Sequence, residues 1–106
     1  MTRAFKAVED TATGGQDTAY TCPASTAAVI YGIKVINQAL SDQTVTIWRK
    51  QSGVALADSN KLYIDVTVST YDTAEFSKFS LEDGDALVWE GSDTDMHLQL
   101  DILEIS

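Results

Sequence analysis

The sequence has very little cysteine, histidine or proline: Cys22, His97 and Pro23 are the only residues of their types among 106. A single cysteine cannot form an internal disulfide, which is typical of proteins that fold in a reducing compartment. A zinc site needs about three or four ligands, mostly Cys and His, so one residue of each type argues against zinc. We therefore expect a chain without disulfides and without a metal or other cofactor.

Basic residues are also scarce, with 7 Lys and Arg against 16 Asp and Glu and a formal net charge of −9. A chain this acidic repels phosphate backbones and anionic lipid surfaces, so neither nucleic acid nor a membrane is an expected partner. The longest uncharged apolar-rich stretch, residues 18–33, is interrupted by Thr, Ser, Pro and Gly. No signal peptide or membrane span is therefore predicted, and we expect synthesis in the cytoplasm.

The periodic segments alternate apolar and polar residues with a period of two, which is typical of half-buried β-strands. Clusters of Gly, Asn, Asp and Ser separate these segments and predict turns. The sequence therefore predicts an all-β chain, a single antiparallel β-sandwich over residues 1–106 that is jelly-roll or immunoglobulin-like and has about seven to nine strands. The expected buried core comprises Ile33, Val35, Val45, Ile47, Leu62, Ile64, Val66, Leu98 and Leu100.

Two segments carry further structural expectations. In AAVIYGIKVIN, apolar residues occur on both faces, which predicts a central strand whose Gly32 marks a bulge or a close backbone contact. Residues 1–16 are predicted to form either an edge strand or an N-terminal arm that adds a strand to a neighbour's sheet. This segment holds two of the basic residues, Arg3 and Lys6, beside Phe5, and these three are candidate interface residues.

Cys22 is the first candidate for chemistry. As a nucleophile it would need a base, and His97 is the single histidine available. A reactive thiol also needs electropositive surroundings, which this chain hardly supplies. The sequence therefore favours Cys22 as a small buried packing residue.

The acidic turns are the second candidate. LEDGDALVW and EGSDTD place Asp83, Asp85, Asp93 and Asp95 at the two ends of one predicted strand. Such carboxylates are weak candidates for a Ca²⁺ site, and a glycosidase would also use a pair of carboxylates. Because Asp and Gly favour turns in any case, turn formation explains the same residues.

The aromatic residues are the third candidate. Trp48 and Tyr63 lie on the polar faces of their predicted strands, and Trp89 lies in LEDGDALVW. These three residues are expected to cover a second core or to contact another protein, and exposed aromatic rings can also bind sugar. They leave a carbohydrate- or receptor-binding module open as an alternative to a protein-assembly role.

The segment YTCPASTAAVIYGIKVINQALSDQTVTIWRK is similar to the opening of small virion proteins of tailed phages. Its parts are a short strand with Pro and small residues, an apolar strand ending near Asn, a polar turn, and a VTV-type strand. LEDGDALVW and LQLDILEIS resemble the later strands of that pattern, so the resemblance covers about residues 20–106. The middle of the chain lacks the usual Gly- and Pro-rich turn, and the segment up to Gly15 is outside the pattern.

This resemblance implies a non-catalytic structural protein of a phage particle, and a capsid decoration (cement) protein in the first place. A head–tail connector and a tail or fibre component are the other implied roles. The implied partners are other phage structural proteins and further copies of the chain, and the implied location is the virion after synthesis in the host cytoplasm. The resemblance implies no catalytic residues.

Overall fold

The computed structural model describes all 106 residues, which form nine β-strands and one 3₁₀ turn, Asp58–Asn60. In chain order the strands are β1 (Arg3–Thr11), β2 (Gln16–Thr21), β3 (Ala27–Asn37), β4 (Gln43–Lys50), β5 (Lys61–Val68), β6 (Thr73–Phe76), β7 (Phe79–Leu81), β8 (Ala86–Gly91) and β9 (Met96–Ile105). No helix is long and apolar enough to cross a membrane.

The strands form two antiparallel sheets that pack against each other. Sheet A has the order β1-β9-β3-β6, with β7 also paired to β3, and sheet B has the order β2-β8-β4-β5. The first strand thus pairs with the last, β2 with β8, β3 with β6 and β7, and β4 with β5. This nested pairing is that of a jelly roll, in which one long ribbon of paired strands is wrapped into a sandwich. The predicted antiparallel β-sandwich is confirmed.

Side chains from both sheets fill one core between them. Sheet A contributes residues such as Ile30 and Leu98, and sheet B contributes Ile47 and Trp89, all fully buried. Six of the nine predicted core residues are fully buried: Ile33, Val35, Val45, Ile47, Leu98 and Leu100. Strand alternation therefore identified most of the core, because the pleat sends every second side chain inward.

β3 is a central strand, as predicted, and it contains the bulge that Gly32 indicated. Ile30 pairs with Ile102 and Gly32 with Asp101, so Tyr31 is an extra residue in β3. A Cβ atom on Gly32 would lie only 2.6 Å from the Asp101 Oδ2 atom. A larger residue here would require the Asp101 side chain to shift, so the glycine, the bulge and the close contact occur together.

β5 departs from the predicted register. Its pairing with β4 is interrupted twice, and Asp65 adopts a positive φ of 45°. Each extra residue reverses the inward and outward alternation. Leu62 and Ile64 are therefore 42% and 61% exposed, and the prediction that they are buried is wrong. Tyr63 takes their place against the core, together with the half-buried Val66.

In the structure, the N-terminal segment lies within its own sandwich. β1 pairs with β9 over its whole length, from Arg3 opposite Ile105 to Thr11 opposite His97. No other strand pairs with β1, so it forms one edge of sheet A.

Candidate interaction surface

The outer face of sheet A carries an exposed apolar strip. Because the even-numbered residues of β9 face the core, its odd-numbered residues face solvent. Leu103 lies on that outer face, between Phe5 on β1 and Val29 on β3. Phe5 is 75% exposed, and its ring packs edge-to-face against Tyr31 at 6.3 Å between centroids. We call Phe5, Val29, Tyr31 and Leu103 the apolar strip.

The strip depends on the bulge in β3. Tyr31 is the extra residue there, so its ring points outward and is 48% exposed, while the core continues with Ile33. Contiguous exposed apolar surface is a feature of contact sites for other proteins, whereas single exposed apolar residues are normal. The sequence analysis missed Val29 and Tyr31 because both share numbering parity with the buried Ile33 and Val35. Treating Gly32 as the mark of an inserted residue would have reversed the parity before it and revealed the strip.

A groove of about 590 Å³ lies on the same face of sheet A, at the end of β1 that contains Glu9 and Thr11. Glu9, Thr11, His97 and Gln99 contribute to its lining, and His97 Nδ1 lies 3.1 Å from Thr11 Oγ1. Cys22 takes no part in this groove. Its thiol is buried between the sheets and donates a hydrogen bond to the Thr26 carbonyl at 3.2 Å. The structure therefore does not bring Cys22 and His97 together as a nucleophile and its base.

Burial also opposes ionisation of Cys22, since it raises the pKa of the thiol, and the nearby Glu104 carboxylate raises the pKa further. Thiolate is the nucleophilic form, so the thiol is poorly reactive at neutral pH. The predicted burial of Cys22 is confirmed.

A buried polar cluster joins the two sheets near their β1 and β2 edges. The Tyr20 hydroxyl on sheet B donates a hydrogen bond to Glu104 Oε2 on sheet A. Lys6 Nζ lies 3.0 Å from the other carboxylate oxygen, Glu104 Oε1. Both carboxylate oxygens of Glu104 therefore have partners, as a buried charge requires. Lys6, one of the predicted interface residues, therefore already forms an ion pair within its own subunit.

This cluster shifts the ionisation of its members. Burial raises the pKa of Tyr20, and the hydrogen bond to the Glu104 carboxylate raises it further. The same hydrogen bond is the main cause that lowers the pKa of Glu104, with a smaller contribution from Lys6. At neutral pH the tyrosine is therefore neutral and the glutamate charged, which is an arrangement that holds sheets together and offers no free acid or base.

Three of the four aspartates of the acidic turns, Asp83, Asp85 and Asp93, accept hydrogen bonds from backbone amides. Asp85 is buried and accepts hydrogen bonds from the amides of Ser52 and Glu82, each at 3.0 Å. Asp83 accepts from the Ser25 amide at 2.9 Å, and Asp93 accepts from the Asp95 amide at 2.8 Å. The two pairs lie at opposite ends of β8.

No group of three or more His, Cys, Asp or Glu side chains is close enough to hold a metal ion. The structure therefore does not assemble the weak calcium candidate Asp83, Asp85, Asp93 and Asp95 into one site.

The three candidate aromatics do not form a platform. Trp89 is fully buried, and its Nε1 atom donates to Asp10 Oδ2 at 2.9 Å. Trp48 is 4% exposed and packs with Leu56, while the Lys61 ammonium lies 5.7 Å from its ring centre. Neither tryptophan is an exposed contact: Leu56 from a loop covers Trp48, in agreement with the expected packing over a second core, and the main core encloses Trp89.

Tyr63 is half-buried, and its ring packs against Phe76 at 4.6 Å between centroids. Its hydroxyl accepts a hydrogen bond from the Ser77 amide at 3.0 Å. Of the six predicted contact residues, only Arg3, Phe5 and Lys6 are therefore well exposed.

Comparison with known proteins adds no relative. No protein-family model matches the chain. No curated protein shows significant sequence similarity to it.

Proposed function

We propose that this chain is a non-catalytic structural subunit of a tailed-phage virion, most specifically a capsid decoration protein. The observation that carries the proposal is the apolar strip: Phe5 and Tyr31 are 75% and 48% exposed on the outer face of sheet A. An exposed apolar patch on a small, otherwise acidic protein marks a surface that another protein covers.

Two further observations support a structural role. Jelly rolls occur in viral capsid proteins, although the same fold also occurs in lectins and enzymes. The chain's titratable clusters are used internally: Asp85 holds turn amides and an ion pair with Arg49, and Glu104 holds Tyr20 and Lys6. The sequence resemblance to small virion proteins is the reason for assigning this structural role to a phage particle.

The carbohydrate- or receptor-binding alternative has less support. Sugar binding through aromatic stacking needs an open ring face. Neither Trp48 nor Trp89 offers one, as both are buried; the exposed rings are those of Phe5 and Tyr31, which pack edge-to-face against each other, and of Tyr71 in the β5–β6 turn.

The direct test uses purified particles of the phage that encodes this chain. We expect mass spectrometry to find the chain in stoichiometric amounts, and electron cryomicroscopy to place it on the head lattice. Density at the neck or on the tail would instead favour the connector or tail role. Absence of the chain from purified particles would overturn the proposal.

A second test addresses the strip. Tyr31→Ser removes an exposed ring from the strip, whereas Tyr71→Ser removes an exposed ring from the β5–β6 turn. We expect the first variant to lose binding to particles stripped of the chain and the second to retain it. Equal binding by both variants would show that the strip is not the docking surface.

A further inference from the structure

The four sheet edges of the sandwich differ in how well they are protected against pairing with another chain. β2 is bulged between Thr18 and Tyr20, and β5 is bulged twice. The remaining edge of sheet A is interrupted between β6 and β7 at Ser77 and Lys78. Bulges and short strands are the usual means by which proteins protect a sheet edge.

β1 has neither a bulge nor an interruption, and its inward-facing Lys6 is paired with Glu104 of the same subunit. It pairs with β9 through nine successive residues without any shift of register. It contains no proline or glycine. A long, regular edge strand presents a row of unpaired backbone groups that can accept a further strand.

The free backbone groups of β1 can be identified from its hydrogen bonds. Thr2 and Ser106 exchange two hydrogen bonds of 2.7 and 2.9 Å, and the Ala12 amide donates to Met96 at 2.9 Å. Bonded and non-bonded pairs alternate along an antiparallel ladder, so the even-numbered residues of β1 bond to β9. The odd-numbered residues direct their N–H and C=O groups away from the sheet: Arg3, Phe5, Ala7, Glu9 and Thr11.

Thr11 is set apart from this group because its amide already donates to the Asp10 side chain at 3.0 Å. The available edge therefore runs from Arg3 to Glu9. Its outward-pointing backbone groups belong to Arg3, Phe5, Ala7 and Glu9. If the partner is a second copy of β1 and pairs antiparallel through these four residues alone, Arg3 lies opposite Glu9 and Phe5 lies opposite Ala7.

That register is self-complementary. Each Arg3 meets the Glu9 of the second copy, and each exposed Phe5 ring lies beside a small Ala7, on the outer face of the sheet. Lys6 of one copy faces Lys6 of the other. Glu104 Oε1 lies 3.0 Å from the Lys6 Nζ atom within each subunit, which offsets this like-charge pairing.

We propose that the free edge of β1 binds the β1 strand of a second copy of this chain, in an antiparallel pair related by a two-fold axis. The two A sheets then join into one continuous sheet, with main-chain hydrogen bonds at the seam and two Arg3–Glu9 ion pairs at its ends. This proposal concerns the chain's own assembly and does not depend on the virion assignment.

The first experiment measures amide hydrogen exchange of the intact chain by NMR as its concentration rises to about 1 mM, where weak association is populated. We expect the amides of Phe5, Ala7 and Glu9 to gain protection as the dimer forms. Those of Lys6 and Val8 already bond to β9, so they serve as internal controls and stay protected throughout. Amides of Phe5, Ala7 and Glu9 that stay unprotected at every concentration would overturn the proposal.

The second experiment measures the dimer dissociation constant by analytical ultracentrifugation for charge variants. Arg3→Glu and Glu9→Arg should each raise the constant about tenfold or more, because each variant turns two attractive pairs into repulsive ones. The double variant restores opposite charges and should return to within about threefold of the original value. Lys50→Glu makes the same charge change as Arg3→Glu but lies on sheet B, so it should have little effect on the dissociation constant.

Ala7→Pro provides a backbone test, since the lost N–H points outward and no bond to β9 is removed. We expect a folded monomer. If this variant does not fold, the exchange and charge-variant measurements still decide. A chain that stays monomeric at every concentration, or a dimer that none of these changes weakens, would refute pairing through β1.

Discussion

Tyr20→Phe tests whether the buried hydrogen bond between the sheets stabilises the fold. The substitution keeps the ring and removes only the hydroxyl that donates to Glu104 Oε2. Hydrogen bonds to charged groups contribute about 1.5–3 kcal/mol to stability. Since both residues are buried, water does not readily replace the lost donor. We expect the free energy of unfolding at pH 7 to fall by about 2 kcal/mol, within that range.

The effect should depend on pH in a defined direction. The hydrogen bond from Tyr20 lowers the pKa of Glu104 in the folded state. A carboxylate with a lowered folded pKa stabilises the fold above its unfolded pKa of about 4.3, and this stabilisation is lost as the pH falls through the folded pKa. The difference between Tyr20→Phe and the original chain should therefore shrink as the pH is lowered from 7 towards 3.

Tyr20 itself acts at the alkaline end, because its pKa is raised in the folded state. Its contribution is fully present below the unfolded tyrosine pKa of about 10 and declines as the pH rises above it. The original chain should lose stability above that pH, and Tyr20→Phe should show less of this loss.

Thermal and urea unfolding followed by circular dichroism measure these differences. In a domain of roughly this size each kcal/mol corresponds to about 4–8 °C, so a loss of about 2 kcal/mol should lower Tm by about 8–16 °C. Tyr31→Phe removes an exposed hydroxyl and is the matched control, with an expected change within about 0.5 kcal/mol. A Tyr20→Phe variant as stable as this control, or a difference that does not change between pH 7 and 3, would refute the reasoning.

Three further predictions concern the core and the bulge. Gly32→Ala should lower the free energy of unfolding in urea by about 1–3 kcal/mol because the new methyl group meets Asp101. Adding Asp101→Ala should recover part of this loss, and no recovery would contradict the steric explanation. Native Cys22 should react slowly with a thiol reagent at pH 7 and rapidly in urea, since it is buried with a raised pKa; rapid native labelling would count against this. Ile33→Ala should lower the free energy of unfolding by about 2–5 kcal/mol, whereas Ile64→Ala should change it by no more than about 0.5 kcal/mol. Similar losses for the two variants would mean that β5 has the unbulged register.

The β5 strand shows where the sequence stops determining the structure. Leu62, Ile64, Val66 and Val68 alternate perfectly, and this predicts one buried face. The actual strand contains two extra residues, which send Leu62 and Ile64 outward and Tyr63 inward. Thr46 on the neighbouring strand accepts a hydrogen bond from the displaced Asp65 amide at 3.0 Å. That partner lies 19 residues away in sequence, so local periodicity cannot reveal it.

The order of the strands in the sheets could not be predicted from the sequence either. Alternation located the strands, but the pairing of β1 with β9 joins the two ends of the chain. Such non-local pairing depends on how the whole ribbon wraps, which no local pattern encodes. The candidate surface was hidden for a related reason, since its Tyr31 and Leu103 become neighbours only after β3 and β9 pair around the bulge. Gly32 was the one local signal that pointed towards it.

The proposed dimer and the apolar strip are linked through Phe5, which belongs to both. A two-fold axis perpendicular to sheet A leaves the outer faces of both copies on the same side, so the dimer presents two strips to one partner surface. Two linked contacts bind a particle more tightly than either alone, because the second forms at a high effective concentration. Ala7→Pro should therefore reduce particle binding although the strip's exposed Tyr31 is intact, and Tyr31→Ser should reduce it without changing the dimer dissociation constant. Undiminished binding by Ala7→Pro would show that docking uses single subunits and that β1 pairing, where it occurs, serves another contact.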